Sequence, residues 1–286
     1  MSPSLAAGLG LALASAAALN WGFFVQHSVA STLPPLTLRR PLASLRLLFA
    51  SPRWLVGFLV GIPGWGFYVA ALALAPLSLV QAASAGGIGL LALLVSRAAR
   101  LTAWERRGVA VSVLGLVLLG ASLSGRTGSG TGGAWIAVAA WVGLSLALAG
   151  SLARVLRRGA GLGLAAGLCY AAGDVATKAA VPGGQRLAFV PVLLACHGLG
   201  FAALQLGFQR GSALATAGPA TLLTNALPIA AGTTLFGEGL GSLPALRTLA
   251  FACTVLGATL LARPAREDRV ASTDPLPATA RPLPFD

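Results

Sequence analysis

The chain has 286 residues, of which 56% are hydrophobic and only 9% charged, with a formal net charge of +13 and a mean hydropathy of +0.83. A soluble globule carries about 25% charged residues, so this composition excludes an ordinary soluble domain and makes the bilayer the solvent. The basic residues are scattered through joints between apolar runs and never line one amphipathic face, which argues against a nucleic-acid partner and for a topology signal.

A helix crossing the hydrocarbon core needs roughly 20 apolar residues. The first such run is Leu5 to Val25, and no Lys or Arg precedes Arg39. A secretory signal wants a basic n-region, so this run reads as the first membrane helix rather than a cleaved leader. Further spans are predicted at Trp54 to Leu74, Leu77 to Val95, Gly108 to Ser124, Trp135 to Ala153, Leu162 to Ala179, Ala188 to Phe208, Ala213 to Phe236 and Leu243 to Ala262. That makes about nine, with ends set to within two to four residues. The second and third are joined only by Ala75-Pro76, a tight helical hairpin with proline where a helix tolerates it. After Ala262 a charged stretch and then a Pro/Ala/Thr stretch ending at Asp286 are too polar to bury a face, and a disordered cytoplasmic tail is expected.

Alternate joints differ in charge. One set holds Arg39, Arg40, Arg46 and Arg53, then Arg97, Arg100, Arg106 and Arg107, then Arg154, Arg157 and Arg158, then Arg210, and finally Arg263, Arg266, Arg269 and Arg281 in the tail. The opposite set holds only Arg126, Lys178, Arg186 and Arg247. Positive-inside bias then puts the N-terminus outside and the C-terminus in the cytoplasm, as an odd number of spans requires; the plasma (inner) membrane is the expected location.

The chain also repeats itself. Gly8-Leu9-Gly10-Leu11-Ala12 opens the first span and Gly161-Leu162-Gly163-Leu164-Ala165 the sixth, while Val113-Leu114-Gly115 in the fourth matches Val255-Leu256-Gly257 in the ninth. The expected organisation is an all-α polytopic membrane protein: a four-helix repeat over residues 1–124, a connector with the fifth span over 125–159, a second repeat over 160–262 and the tail over 263–286. An odd number of crossings between equivalent helices inverts the second repeat. Inverted repeats are the architecture of many alternating-access transporters.

The stretch Tyr68 to Gly120, with Ala73-Leu74-Ala75-Pro76-Leu77-Ser78-Leu79-Val80-Gln81, Arg100-Leu101, Trp104-Glu105 and Gly115, resembles the drug/metabolite transporter (EamA-like) superfamily. Gly237-Glu238-Gly239-Leu240 looks like that family's Glu-x-Leu corner; the first half departs from it, with Ala99 at the acidic position. Gly22-Phe23-Phe24-Val25-Gln26-His27 at the end of the first span and Thr177-Lys178-Ala179 at the end of the sixth are most similar to the NIPA-like branch. The resemblance implies a nine-span plan with the N-terminus outside. It further implies magnesium as substrate in that branch, and metabolites, nucleotide sugars or drugs in the wider superfamily.

Asp174 is the only acidic residue placed clearly inside a span, where a charge costs about 2.5 to 3.5 kcal/mol on insertion scales and must face a cavity or a partner. Tyr170 lies one turn before it and Lys178 one turn after, so an Asp174–Lys178 ion pair competes with a substrate or proton-coupling role. Asn20 and Gln26 in the first span, and Gln81 and Ser84 on one face of the third, either bond neighbouring helices or line a pathway. Thr221, Thr224 and Asn225 stand between Pro219 and Pro228, where freed carbonyls are tolerable beside a cavity. His197, with Gln205 on its stripe, reads as packing, since no second His or Cys accompanies it at ligand spacing.

Cys169, Cys196 and Cys253 sit in separate apolar runs and read as packing. The string Ser122-Leu123-Ser124-Gly125 ends a span at the surface, and no HExxH, paired carboxylates or Gly-rich phosphate loop is present, so a non-enzyme without cofactor is expected. A scaffold or receptor is a third reading. The leading one is a gradient-driven transporter of a small solute, with magnesium as the alternative, and a homodimer is compatible with either. Its cavity is expected between the first, third, sixth and eighth spans, with Asp174, Lys178, Tyr170, Asn225, Thr221, Gln81 and Gln26 as candidate lining.

Overall fold

The computed structural model describes residues 3–37, 40–84, 86–98, 100–122, 133–156, 159–238 and 244–261. The expected tail, the Ser124-Gly125 string, Ala99, Arg39, Arg126, Arg157 and Arg158 lie outside the described residues. Within them the chain is all-helical: α1 (Pro3–Ala30), α2 (Pro41–Phe49), α3 (Pro52–Leu74), α4 (Leu77–Ser84), α5 (Gly87–Ala98), α6 (Ala103–Ser122), α7 (Trp135–Val155), α8 (Gly159–Ala180), a 3-10 segment at Gly184–Phe189, α9 (Val190–Phe208), α10 (Ala213–Thr234) and α11 (Pro244–Leu261).

Among the described residues six stretches are long and apolar enough to cross a bilayer: Pro3–Ala30, Pro52–Leu74, Leu79–Arg97, Trp135–Val155, Gly159–Ala180 and Gly184–Phe208. The helices α6, α10 and α11 fall outside that set. For α10 the reason is visible: it is buried among protein, so its Thr and Asn residues have helical neighbours rather than lipid around them. The third predicted span matches the stretch Leu79–Arg97, described as α4 up to Ser84 and α5 from Gly87 with a turn at Gly86. The short helix α2, between the first two long ones, escaped the apolar ruler because it is too brief to span.

Local chemistry sets several ends. The Ser51 hydroxyl accepts from Trp54 N and Pro52 opens α3, while Ser212 accepts from Ala215 N at the start of α10. Thr102 and Glu105 form a reciprocal capping box on α6: Thr102 N donates to Glu105 Oε2 at 2.8 Å and Glu105 N to Thr102 Oγ1 at 3.2 Å.

Helix pairing is nearly mirrored between the two ends of the chain. The helix α1 packs most extensively on α3 and also on α4 and α5; α8 packs most extensively on α9 and α10. Across the middle α4 and α5 meet α10, and α6 meets α11. At the last of these interfaces Gly115 faces Cys253 and the α11 backbone, where an added Cβ would lie 2.9 Å from Cys253 Cβ, and Gly257 faces Ser112. The two glycines matched in the sequence repeat thus serve one close helix contact.

Candidate functional site

The packing of α8 on α9 places the central side chains. Tyr170 lies against Gly200, and the His197 imidazole lies over Gly173, where a Cβ would collide with the ring. Small residues on each helix therefore admit a ring from the other. Between these helices and α1, α2, α3, α4 and α10 lies a cavity of about 510 Å³. The expected set of first, third, sixth and eighth spans omitted α2, α3 and α9, which supply Phe49, Phe58, Trp65, Tyr68, His197 and Phe201.

Asp174, 4% exposed, is the polar centre of this cavity. Its Oδ2 accepts from Gln81 Nε2 at 3.0 Å, its Oδ1 lies 3.5 Å from His197 Nε2, and the Tyr68 hydroxyl is also hydrogen-bonded to it. The same Gln81 nitrogen lies 2.7 Å from the Tyr68 hydroxyl. His197 Nδ1 is 2.8 Å from Leu193 O. A carbonyl only accepts, so Nδ1 carries a proton and Nε2 is the nitrogen turned to Asp174.

The expected Asp174–Lys178 ion pair is not formed. Lys178 Nζ lies 4.0 Å from Glu238 Oε1 and 3.4 Å from Leu72 O, and it is not among the residues lining the cavity. Glu238 Oε1 also accepts from Leu77 N at 2.7 Å, which satisfies an orphan N–H at the start of α4. Glu238, the first residue of the Glu-x-Leu corner, is therefore a buried clasp joining α8, α4 and the end of α10; Gly239 and Leu240 lie outside the described residues. One helical turn separates Asp174 from Lys178 along α8, yet the helix packs between two sets of neighbours and each charge finds its own.

Of the other candidates, Gln81, Tyr170, Thr221, Asn225 and Gln26 all line the cavity, as do Asn20, Ser84 and Thr224. Gln26 is engaged at one end of it: Nε2 donates to Gly57 O at 3.3 Å and Oε1 accepts from Gln205 Nε2 at 2.6 Å, while Gln205 Oε1 accepts from Trp54 Nε1 at 3.1 Å. This chain ties α1, α3 and α9 together. The aromatic rings of Trp54 and Phe58 stack, and Phe201 meets both edge-on across the α3–α9 seam. Asn225 donates to Thr221 O within its own helix, and Asn20 likewise to Ala16 O.

His197 and Tyr68 were missed as site residues. The available signal was scarcity: in a chain with one carboxylate inside a span, an intramembrane His is its natural partner. Among the described residues there is no group of three or more His, Cys, Asp or Glu that could hold a metal ion.

A polytopic helical membrane protein, with a cavity between its helices and a buried carboxylate–imidazole pair in that cavity, is the class that fold and site define. Over a 285-residue alignment covering 90% of this chain and 82% of the relative, the sequence is 26% identical to the Probable magnesium transporter NIPA9 of Arabidopsis thaliana. The resemblance to the NIPA-like branch thus extends over nearly the whole chain, and the protein is an integral membrane protein. No family model matches the chain, and no solved structure does.

Proposed function

We propose that the protein is a secondary transporter that moves a small organic solute through the cavity around Asp174 by alternating access. The observation that carries this reading is the cavity itself: helices from both ends of the chain enclose about 510 Å³, a usual size for a small-molecule site, around one buried carboxylate. The mirrored helix pairing supports an arrangement of two inverted four-helix repeats, residues 1–124 and 160–262, joined by a connector over 125–159 that contains α7. In that arrangement the chain crosses the membrane nine times, with the N-terminus outside and the C-terminus in the cytoplasm.

Alternating access can be tested without knowing the solute. In a background lacking Cys169, Cys196 and Cys253, a Thr224→Cys variant is labelled with a membrane-impermeant thiol reagent in right-side-out and in inside-out vesicles. Labelling from both sides is expected. Labelling from one side only would make the cavity the pocket of a receptor or scaffold.

A second reading, magnesium as the substrate, rests on the similarity to the Arabidopsis thaliana probable magnesium transporter. Magnesium binds oxygen ligands and gives up its water reluctantly. Asp174, the one carboxylate of the lining, is already engaged by Gln81, Tyr68 and His197, so the ion would pass with most of its water shell retained. Saturable magnesium entry into proteoliposomes under an imposed potential, lost in Asp174→Asn, would favour it.

A further inference from the structure

Two asparagines of the cavity are oriented by their own helices. Asn20 Nδ2 donates to Ala16 O at 2.9 Å, and Asn225 Nδ2 donates to Thr221 O at 2.7 Å. Because a backbone carbonyl only accepts, each amide nitrogen must face its helix, and each amide oxygen is turned away from it. Neither Oδ1 has a protein partner, and each residue is only 4% exposed. Gly87 holds Asn20 in place, since a Cβ there would collide with the amide nitrogen.

A buried amide oxygen left without a donor is costly, and two beside one cavity ask for a ligand that donates hydrogen bonds. The charge of the lining narrows the choice. It includes the Asp174 carboxylate with the His197 imidazole beside it, and no Lys or Arg among the described residues, although the chain carries +13 overall. An anion would meet these amide oxygens and the carboxylate, with the Trp65 indole N–H and the Ser84 and Thr221 hydroxyls as the lining's unpartnered neutral groups that can donate to it among the described residues. The rings of Phe23, Phe58, Tyr170 and Phe201 supply apolar wall and π faces suited to a cation. A quaternary ammonium has the charge but no N–H to give. A hydrated divalent ion has donors, but rings offer little to its water shell.

We infer that the cavity binds a primary ammonium compound with a compact apolar substituent, the ammonium donating to Asn20 Oδ1 and Asn225 Oδ1 and the substituent lying among the aromatic rings. This names the solute class of the transport reading and rests on it, but binding is measured apart from transport, so either can fail alone.

The probe is 2-phenylethylammonium, titrated into the full-length protein in lipid nanodiscs, with empty nanodiscs as the partitioning control. Its N-trimethyl analogue and magnesium chloride are titrated in parallel. Saturable binding of the primary amine is expected, about tenfold or more tighter than that of the N-trimethyl analogue, because only the former satisfies the amide oxygens. Asn225→Leu should weaken the primary amine by about tenfold and leave the N-trimethyl analogue unchanged. Equal affinity for the two amines, absence of saturable binding, or displacement of the primary amine by magnesium at comparable concentration would each overturn the inference. The ligand comparison on the unaltered protein decides the matter even where the variant does not fold.

Discussion

The His197 imidazole is held between its own helix and the Asp174 carboxylate, with Nδ1 2.8 Å from Leu193 O and Nε2 3.5 Å from Asp174 Oδ1. The first contact fixes which nitrogen faces the carboxylate.

Replacing Asp174 with Asn keeps the size of the side chain and its bond from Gln81 but removes the ionisable carboxyl group. Transport in proteoliposomes should fall by tenfold or more, roughly 1.4 kcal/mol or more in the rate-limiting barrier, while expression and thermal stability stay close to the parent. Undiminished flux in Asp174→Asn would remove this residue from the pathway.

Gly173→Ala tests the placement of the ring. The added methyl would collide with the His197 imidazole, and overpacking of this kind costs typically 1 to 3 kcal/mol. Thermal unfolding in detergent should show a lowered midpoint for Gly173→Ala and no loss for Gly143→Ala on α7, where a Cβ meets nothing within 4 Å. Equal midpoints would mean that the ring moves aside freely.

At the Glu238 clasp, Lys178→Met leaves a buried carboxylate with one partner fewer, and breaking a buried pair costs up to about 3 to 5 kcal/mol. The double variant Lys178→Met, Glu238→Gln should be more stable than Lys178→Met alone, because it leaves no uncompensated charge. A double variant no better than the single would show that the two side chains are independent.

The chain Trp54–Gln205–Gln26 crosses three helices. Hydrogen bonds between membrane helices average about 0.6 kcal/mol and reach about 1.7. Gln205→Leu removes two of them and should destabilise by about 1 to 2 kcal/mol, with Gln205→Glu recovering part of the loss. Chemical denaturation in mixed micelles measures both, and a neutral Gln205→Leu would mean that the glutamines merely fill space.

Helix locations were largely legible because apolar run length answers directly to bilayer thickness, as at Pro52–Leu74 against the predicted Trp54 to Leu74. The turn at Gly86, between α4 and α5, was not, since an apolar run carries no mark of where the backbone tightens at glycine. Candidate polar residues were legible as a set, because few polar groups stand in apolar runs. Their partners were not: the spacing that puts Lys178 one turn from Asp174 says nothing about Glu238 or His197, which approach from other parts of the chain.

The sequence by itself determined that this is a helical membrane protein resembling the NIPA-like branch, since composition selects the solvent and run length selects the crossing elements. Only the tertiary structure decided that Asp174 meets His197, Gln81 and Tyr68 while Lys178 turns to Glu238. Periodicity fixes neighbours within one helix. Which groups meet across helices depends on rotation and register, and these are set by where small residues such as Gly173 and Gly200 let a neighbouring ring come close.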